Sequence, residues 1–422
     1  MWKEALRNSS IILAGVISSR FFVFLYNTII IRELSVSDYA SFAFAMAVFN
    51  WVLVFSHLDL YAAVSWNVSK FKAMNQLSDA WNYYRHAFIM AGIFAFVGMI
   101  VGILITNSQG VYSNIYITVF MISLLPMSLV TVNDGYLKGF EKFRLSAMVE
   151  LSSGLSKLLV LVLAIFIMKS INLSAVFVLF TIASLIIYLI SNTVIIKSNV
   201  RIVTRKKKIS LSIAKKLFDY SRWVCLTDLM NAGILLSGNM IISHKNPTDL
   251  AAFNIVILIY GIFQMAFGAI TTVLIPQVSR QDTNKQKVHM LGIRDFFVVS
   301  LLTIISIAIL IRIPWSHDII LFLFKKPDYS NAFNYLSILM VALPFRLFSV
   351  ANKGILQGIG HPKLAAITSI FTLMINIILF FYLYNIFSIS GSMIAMVCAY
   401  IVDFIIITIM TYMVLSRRKK DA

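Results

Sequence analysis

GYLKGFEKFRLSA, residues 135–147, and GILQGIGHPKLAA, residues 354–366, are built on one pattern. Each reads Gly-x-Leu-x-Gly, four more residues, then a cation, a leucine, a small residue and an alanine. The agreement continues beyond these loops. SVSDYASFAFAMAVF (35–49) resembles NPTDLAAFNIVILIY (246–260), and VSK (68–70) matches VSR (278–280). YSN occurs at 112–114 and again at 329–331, and LLP (124–126) pairs with ALP (342–344). The matches keep one order and nearly one offset, which is the signature of an internal duplication.

Composition says what was duplicated. Apolar residues make up 60 % of the chain and charged residues only 13 %, against about 25 % charged in soluble domains. Mean hydropathy is +0.88. A soluble protein could not cover so much apolar surface. The long apolar runs predict twelve transmembrane helices, at roughly 9–31, 39–63, 84–106, 114–137, 147–168, 174–196, 217–243, 250–276, 296–315, 332–357, 364–385 and 390–415. They lack the period-two alternation of barrel strands. The expected fold is therefore an all-α membrane protein of about twelve transmembrane helices. It has an N-terminal six-helix bundle (1–200), a basic cytoplasmic linker (201–216) and a C-terminal six-helix bundle (217–422). Six spans is an even number, so the halves are parallel repeats related by a pseudo-two-fold axis along the membrane normal, around a central cavity. The first apolar stretch carries Arg20 and no small-residue cleavage site, so it reads as a span rather than a signal peptide.

The formal net charge is +19. With the N-terminus placed in the cytoplasm, most Lys and Arg fall in inner loops and tails, including RIVTRKKK (201–208) and RRKK (417–420). The excess therefore reports topology and contact with anionic membrane lipids, and it excludes a nucleic-acid partner. It assigns both termini to the cytoplasmic side. Cys225 and Cys398 lie in separate spans without metal-ligand spacing, and the six histidines do not pair at such spacing, so no metal site is expected.

Charges inside spans are costly and mark function or pairing. Arg20 lies mid-span, roughly 16 Å from either end at 1.5 Å per residue. It is either half of a structural ion pair or a cation lining the cavity. Lys157 and Arg346 face the same choice. Asp228 and Asp403 are the deepest acids, and either neutralise such cations or titrate in ion coupling. Glu150, two turns before Lys157 on the same helix face, can pair with it only indirectly. Pro126 and Pro344 sit at matching places in spans four and ten, as bending points or as static kinks. His57, Asp59 and Asp134 read as groups near inner span ends, while Ser35, Ser37, Asn246 and Thr248 are candidate N-caps.

The duplicated twelve-span plan, RELSVSDYASFAF after span one, FSHLDLYAAVSWNVSKF at the end of span two, and the loop LKGFEKFRLSA together resemble the Wzx-type polysaccharide flippases of the multidrug/oligosaccharidyl-lipid/polysaccharide exporter superfamily. The likeness covers nearly the whole chain. It implies a V-shaped pair of bundles. It also implies flipping of a polyprenyl-pyrophosphate-linked oligosaccharide, such as an O-antigen unit, across the cytoplasmic membrane. A cation-lined cavity follows from the same likeness; it suits Arg20 first, and Lys157 and Arg346 after it. Polysaccharide assembly proteins would be natural partners. No cofactor is implied; a proton or sodium gradient is the natural energy source. Lipid-linked peptidoglycan precursor flippases of the superfamily resemble a fourteen-span plan instead. Its multidrug antiporters share twelve spans but have fewer buried cations. An enzyme is disfavoured by short outer loops and by the lack of a phosphate-binding loop or zinc motif.

Overall fold

A computed structural model describes residues 2–108, 114–198, 210–264, 301, 305 and 316–421. The expected ninth span, 296–315, falls outside these residues except at Leu301 and Ile305. So do the end of the eighth span and most of the linker 201–216. Among the described residues there is no strand. Among the described residues, nine helices are long and apolar enough to cross a bilayer, ten if one bent pair counts as a span. The longest, Pro362–Ser416, contains both expected spans 364–385 and 390–415; Ser388 breaks it with φ 50 and ψ −134.

The chain divides into two compact units, Met1–Cys225 and Leu226–Ala422. The division falls within one helix rather than at its start. Unit 1 contains α1 (Trp2–Glu33), α2 (Val36–His57), α3 (Leu60–Ala73), α4 (Leu77–Ser108), α5 (Asn114–Ile122), α6 (Leu124–Gly139), α7 (Phe143–Met168) and α8 (Leu173–Lys197). It also takes the first part of α9 (Leu211–Ser243). α1 lies along α7, α2 along α4, and α3 along α6. Leu217 and Cys225 of α9 join a core with Leu60, Val64, Val132 and Tyr136.

Unit 2 holds the rest of α9, α10 (Pro247–Gln264), α11 (Ser316–Phe324), α12 (Ala332–Met340), α13 (Leu343–Gly358) and α14 (Pro362–Asp421). α12 and α13 both pack on α14.

The duplication is visible in backbone detail. Lys142 N–H donates to Leu137 O at 2.9 Å, closing the end of α6 with Glu141 at φ 60. His361 N–H donates to Leu356 O at 2.8 Å, closing α13 with Gly360 at φ 85. Both are left-handed helix stops at the same register of the repeated loop. Glycine takes that conformation without cost, whereas Glu141 bears the Cβ penalty. The caps repeat as well. Ser35 Oγ accepts from Asp38 N at 3.0 Å, and Asn246 Oδ1 accepts from Thr248 N at 2.9 Å.

Two expectations are corrected. Span two does not run unbroken from 39 to 63. It breaks at Leu58 and Asp59, both left-handed (φ 48 and 47), and resumes as α3 to Ala73. Asp59 is therefore 6 % exposed at a mid-span break instead of at an inner end, with its N–H donating to His57 Nδ1 at 3.1 Å. The two prolines lie at breaks within their spans. Pro126 and Pro344 lie in the first turns of α6 and α13, where a missing N–H costs little. The stretch before α13, Pro327–Met340, meets Leu343–Gly358 at 51°.

Candidate functional site

Each unit carries a polar cluster inside its apolar helices. In unit 1 the cluster is assembled by the α1–α7 contact. Gly154 on α7 lets the Ser19 backbone approach so closely that a Cβ there would overlap the Ser19 carbonyl. Ser19 is buried at 2 %, yet the next residue, Arg20, is exposed. Lys157, one turn beyond Gly154, is half-buried, with Nζ 4.7 Å from the Phe180 ring centroid. It lies within electrostatic reach of Arg20 and Glu150. Among the described residues no ion pair closes on Arg20 or Lys157. Two cations thus share the neighbourhood of one carboxylate, which leaves a net positive charge.

Nearer the end of α6, Lys138 Nζ bridges Asp134 at 2.6 Å and lies 5.0 Å from the Tyr61 ring. Ser146 donates to Asp134 Oδ1. Glu150 also acts on Lys138, so this carboxylate is shared between Lys138 and Lys157. Behind these groups, Asn133 ties α4, α6 and α8 together. Tyr84 Oη donates to its Oδ1 at 2.7 Å, and its Nδ2 donates to Ser191 Oγ at 2.9 Å.

Unit 2 is organised differently. Asp403 is fully buried on α14. Lys353 Nζ donates to its Oδ2 at 2.8 Å and to Ser369 Oγ at 2.9 Å. Thr372 Oγ1 donates to Asp403 Oδ1 at 2.7 Å, and Ser349 donates to Oδ2. Every charge in this knot has an opposite charge and hydroxyl partners, which is what tolerable burial requires. Asp403 therefore pairs with Lys353 and not with Arg20, Lys157 or Arg346. One turn away, Arg346 Nη1 donates to Asn231 Oδ1 at 3.1 Å, and its guanidinium lies 4.9 Å from the Tyr400 ring. Asp228 is exposed, bonds Asn231 and lies within electrostatic reach of Arg346 and Lys353. Unit 2 brings Arg346 and Lys353 to Asp228 and Asp403, and these charges balance.

The family described as polysaccharide biosynthesis protein matches residues 5–281, well over half of the chain. The chain belongs to that family. The MatE family matches residues 224–382 of this polysaccharide biosynthesis family protein. No curated protein matches it. Solved structures similar to it are transporters. An inward-facing multidrug resistance MATE family transporter of the MOP superfamily aligns with TM-score 0.74 at 15 % identity, covering 97 % of this chain and 99 % of the other. An outward-facing one gives 0.73 at 14 %, covering 98 % and 96 %. A MOP superfamily transporter from Pyrococcus furiosus, described as having a binding pocket of reversed polarity, gives 0.75 at 15 %, covering 98 % and 96 %. The family protein therefore has the MOP transporter fold of two helical bundles.

Sequence reading grouped Arg20, Lys157 and Arg346 as cavity cations; the first two belong to unit 1, within electrostatic reach of each other, and Arg346 belongs to unit 2. It missed Lys353, which decides the state of Asp403. The signal was present: Arg346, Ser349 and Lys353 recur at i, i+3 and i+7, on one helical face.

Proposed function

We propose that this polysaccharide biosynthesis family protein is a flippase that moves a polyprenyl-diphosphate-linked oligosaccharide across the cytoplasmic membrane by alternating access. Arg20 and Lys157 hold the diphosphate. The observation that carries this reading is the charge excess in unit 1: an exposed guanidinium and a half-buried ammonium near one shared carboxylate. An anion completes such a site, since charge-assisted bonds to phosphate oxygens offset the repulsion between the two cations. A cationic drug would add a third positive charge, which disfavours the multidrug alternative. The isoprenoid tail stays among lipid chains while the polar head is carried. No group in either cluster is arranged for covalent chemistry on the cargo, so the reading is transport and not an enzyme.

Arg20→Ala and Arg20→Lys variants, compared in cells whose surface glycan depends on this protein, separate the roles. Lysine is expected to retain most surface glycan and alanine to lose it, at equal membrane abundance by immunoblot. Wild-type glycan levels from the alanine variant would remove Arg20 from the site.

The balanced charges of unit 2 suit coupling to a proton or sodium gradient, and Asp228 is the acid open to exchange. Asp228→Asn should leave thermal stability unchanged and make transport insensitive to collapse of the gradient. A variant still driven by the gradient would exclude that carboxylate.

A further inference from the structure

Unit 1 carries an aromatic pair that the cation site does not use. Trp66 of α3 and Tyr220 of α9 stack with ring centroids 5.8 Å apart and an interplanar angle of 14°. Both remain open, Trp66 at 50 % and Tyr220 at 42 % exposure. Lys70 Nζ lies 5.5 Å from the Trp66 ring centroid. The pair is not isolated from the cations. Tyr220 lies near Tyr61, and Tyr61 carries Lys138 over its ring at 5.0 Å. Lys138 shares Glu150 with Lys157, and Lys157 neighbours Arg20. Within one unit, a run of rings therefore leads into a run of cations, from the end of α3 to the middle of α1 and α7.

We propose that Trp66 and Tyr220 form a sugar-binding platform, which holds the first sugar of the diphosphate-linked cargo as it loads from the cytoplasmic side. The proposal rests on the flippase reading and names the part of the cargo that the cations do not recognise.

Three observations point to a sugar. A pyranose presents an apolar C–H face that packs against the negative face of an aromatic ring, while its hydroxyls stay wet. The pair offers ring surface of that kind, half open, beside the Lys70 ammonium. A membrane-belt tryptophan needs neither a stacked partner from a distant helix nor a cation over its ring. The positive charge of Lys70 beside the rings disfavours a cationic drug and suits an anionic head group. A sugar joined directly to a diphosphate is both a carbohydrate face and an anion, and rings that lead into cations match it.

The test compares two probes on the purified full-length protein in nanodiscs: farnesyl diphosphate, and the same lipid bearing one N-acetylglucosamine. Wild type is expected to bind the glycosylated probe about tenfold more tightly than the bare one. Trp66→Ala and Tyr220→Ala should each erase that advantage while leaving affinity for farnesyl diphosphate unchanged. Trp66→Phe, which keeps a ring at the site, should retain most of the advantage and guards against misfolding of the alanine variants. Equal sugar preference in wild type and Trp66→Ala would overturn the platform while leaving diphosphate recognition standing. Reduced thermal stability of Trp66→Ala with intact sugar preference would make the pair a membrane anchor and likewise overturn it. If wild type binds neither probe, the flippase reading fails, and the platform with it.

Discussion

Lys353→Met is expected to destabilise the purified protein by about 3–5 kcal/mol, because it leaves the Asp403 carboxylate buried without a counter-charge. Asp403 is inaccessible to solvent, and Lys353 is its sole cationic partner at ion-pair distance among the described residues. Ser349 and Thr372 still donate to the carboxylate, but two hydroxyl bonds do not replace an ammonium in this setting. Adding Asp403→Asn to Lys353→Met should recover most of the loss. The amide keeps hydrogen bonds to the hydroxyls, and no buried charge remains. Thermal unfolding in detergent, followed by loss of the monodisperse species, reads both variants. A double variant as unstable as the single would show that the knot acts through packing and not through charge. The same measurement separates stability from transport: the knot lies in unit 2 and is balanced, so a refolded double variant should still bind diphosphate.

The second large effect is on function. Removing both cations of unit 1, with Arg20→Gln and Lys157→Gln together, should lower transport by about a hundredfold or more, since each charge-assisted bond to phosphate contributes about 1.5–3 kcal/mol. Stability should hold or rise slightly. Arg20 is exposed and the two cations repel each other, so neither glutamine leaves a buried opposite charge without its ion-pair partner. That pattern, function lost with stability kept, is the reverse of the pattern expected at Lys353. Surface glycan in dependent cells, normalised to membrane abundance, measures it. Simultaneous loss of folding would mark Arg20 and Lys157 as structural.

The architecture could be read from the sequence because the duplication is written in short-range signals. The repeated loop contains its own helix stop, and the paired left-handed residues Glu141 and Gly360 show that the register was kept even where glycine was not. Hydropathy alone marked where most spans lie, although span two runs on to Ala73. The break at Leu58 and Asp59 could not be read in the same way, since two left-handed residues without glycine or proline leave no local mark.

The same divide runs through the sites. Arg20 and Lys157 were conspicuous because charge is rare in a span. Lys353 was not conspicuous, because its position near a span end hides its burial, which is set by α14 packing over α13. The Trp66–Tyr220 stack joins residues remote in the chain, and no period or motif links them. Sequence therefore marked the charges, whereas the partner of each charge depended on helices that meet only in the fold.

The central claim is that the excess cations of unit 1 recognise a lipid-linked diphosphate. Its most direct test is the affinity of the purified full-length protein for farnesyl diphosphate, measured for wild type and for the Arg20→Gln/Lys157→Gln double variant in the same nanodiscs. The account predicts saturable binding by wild type that falls at least about a hundredfold in the double variant. Equal affinity in the two proteins, with both correctly folded, would contradict it.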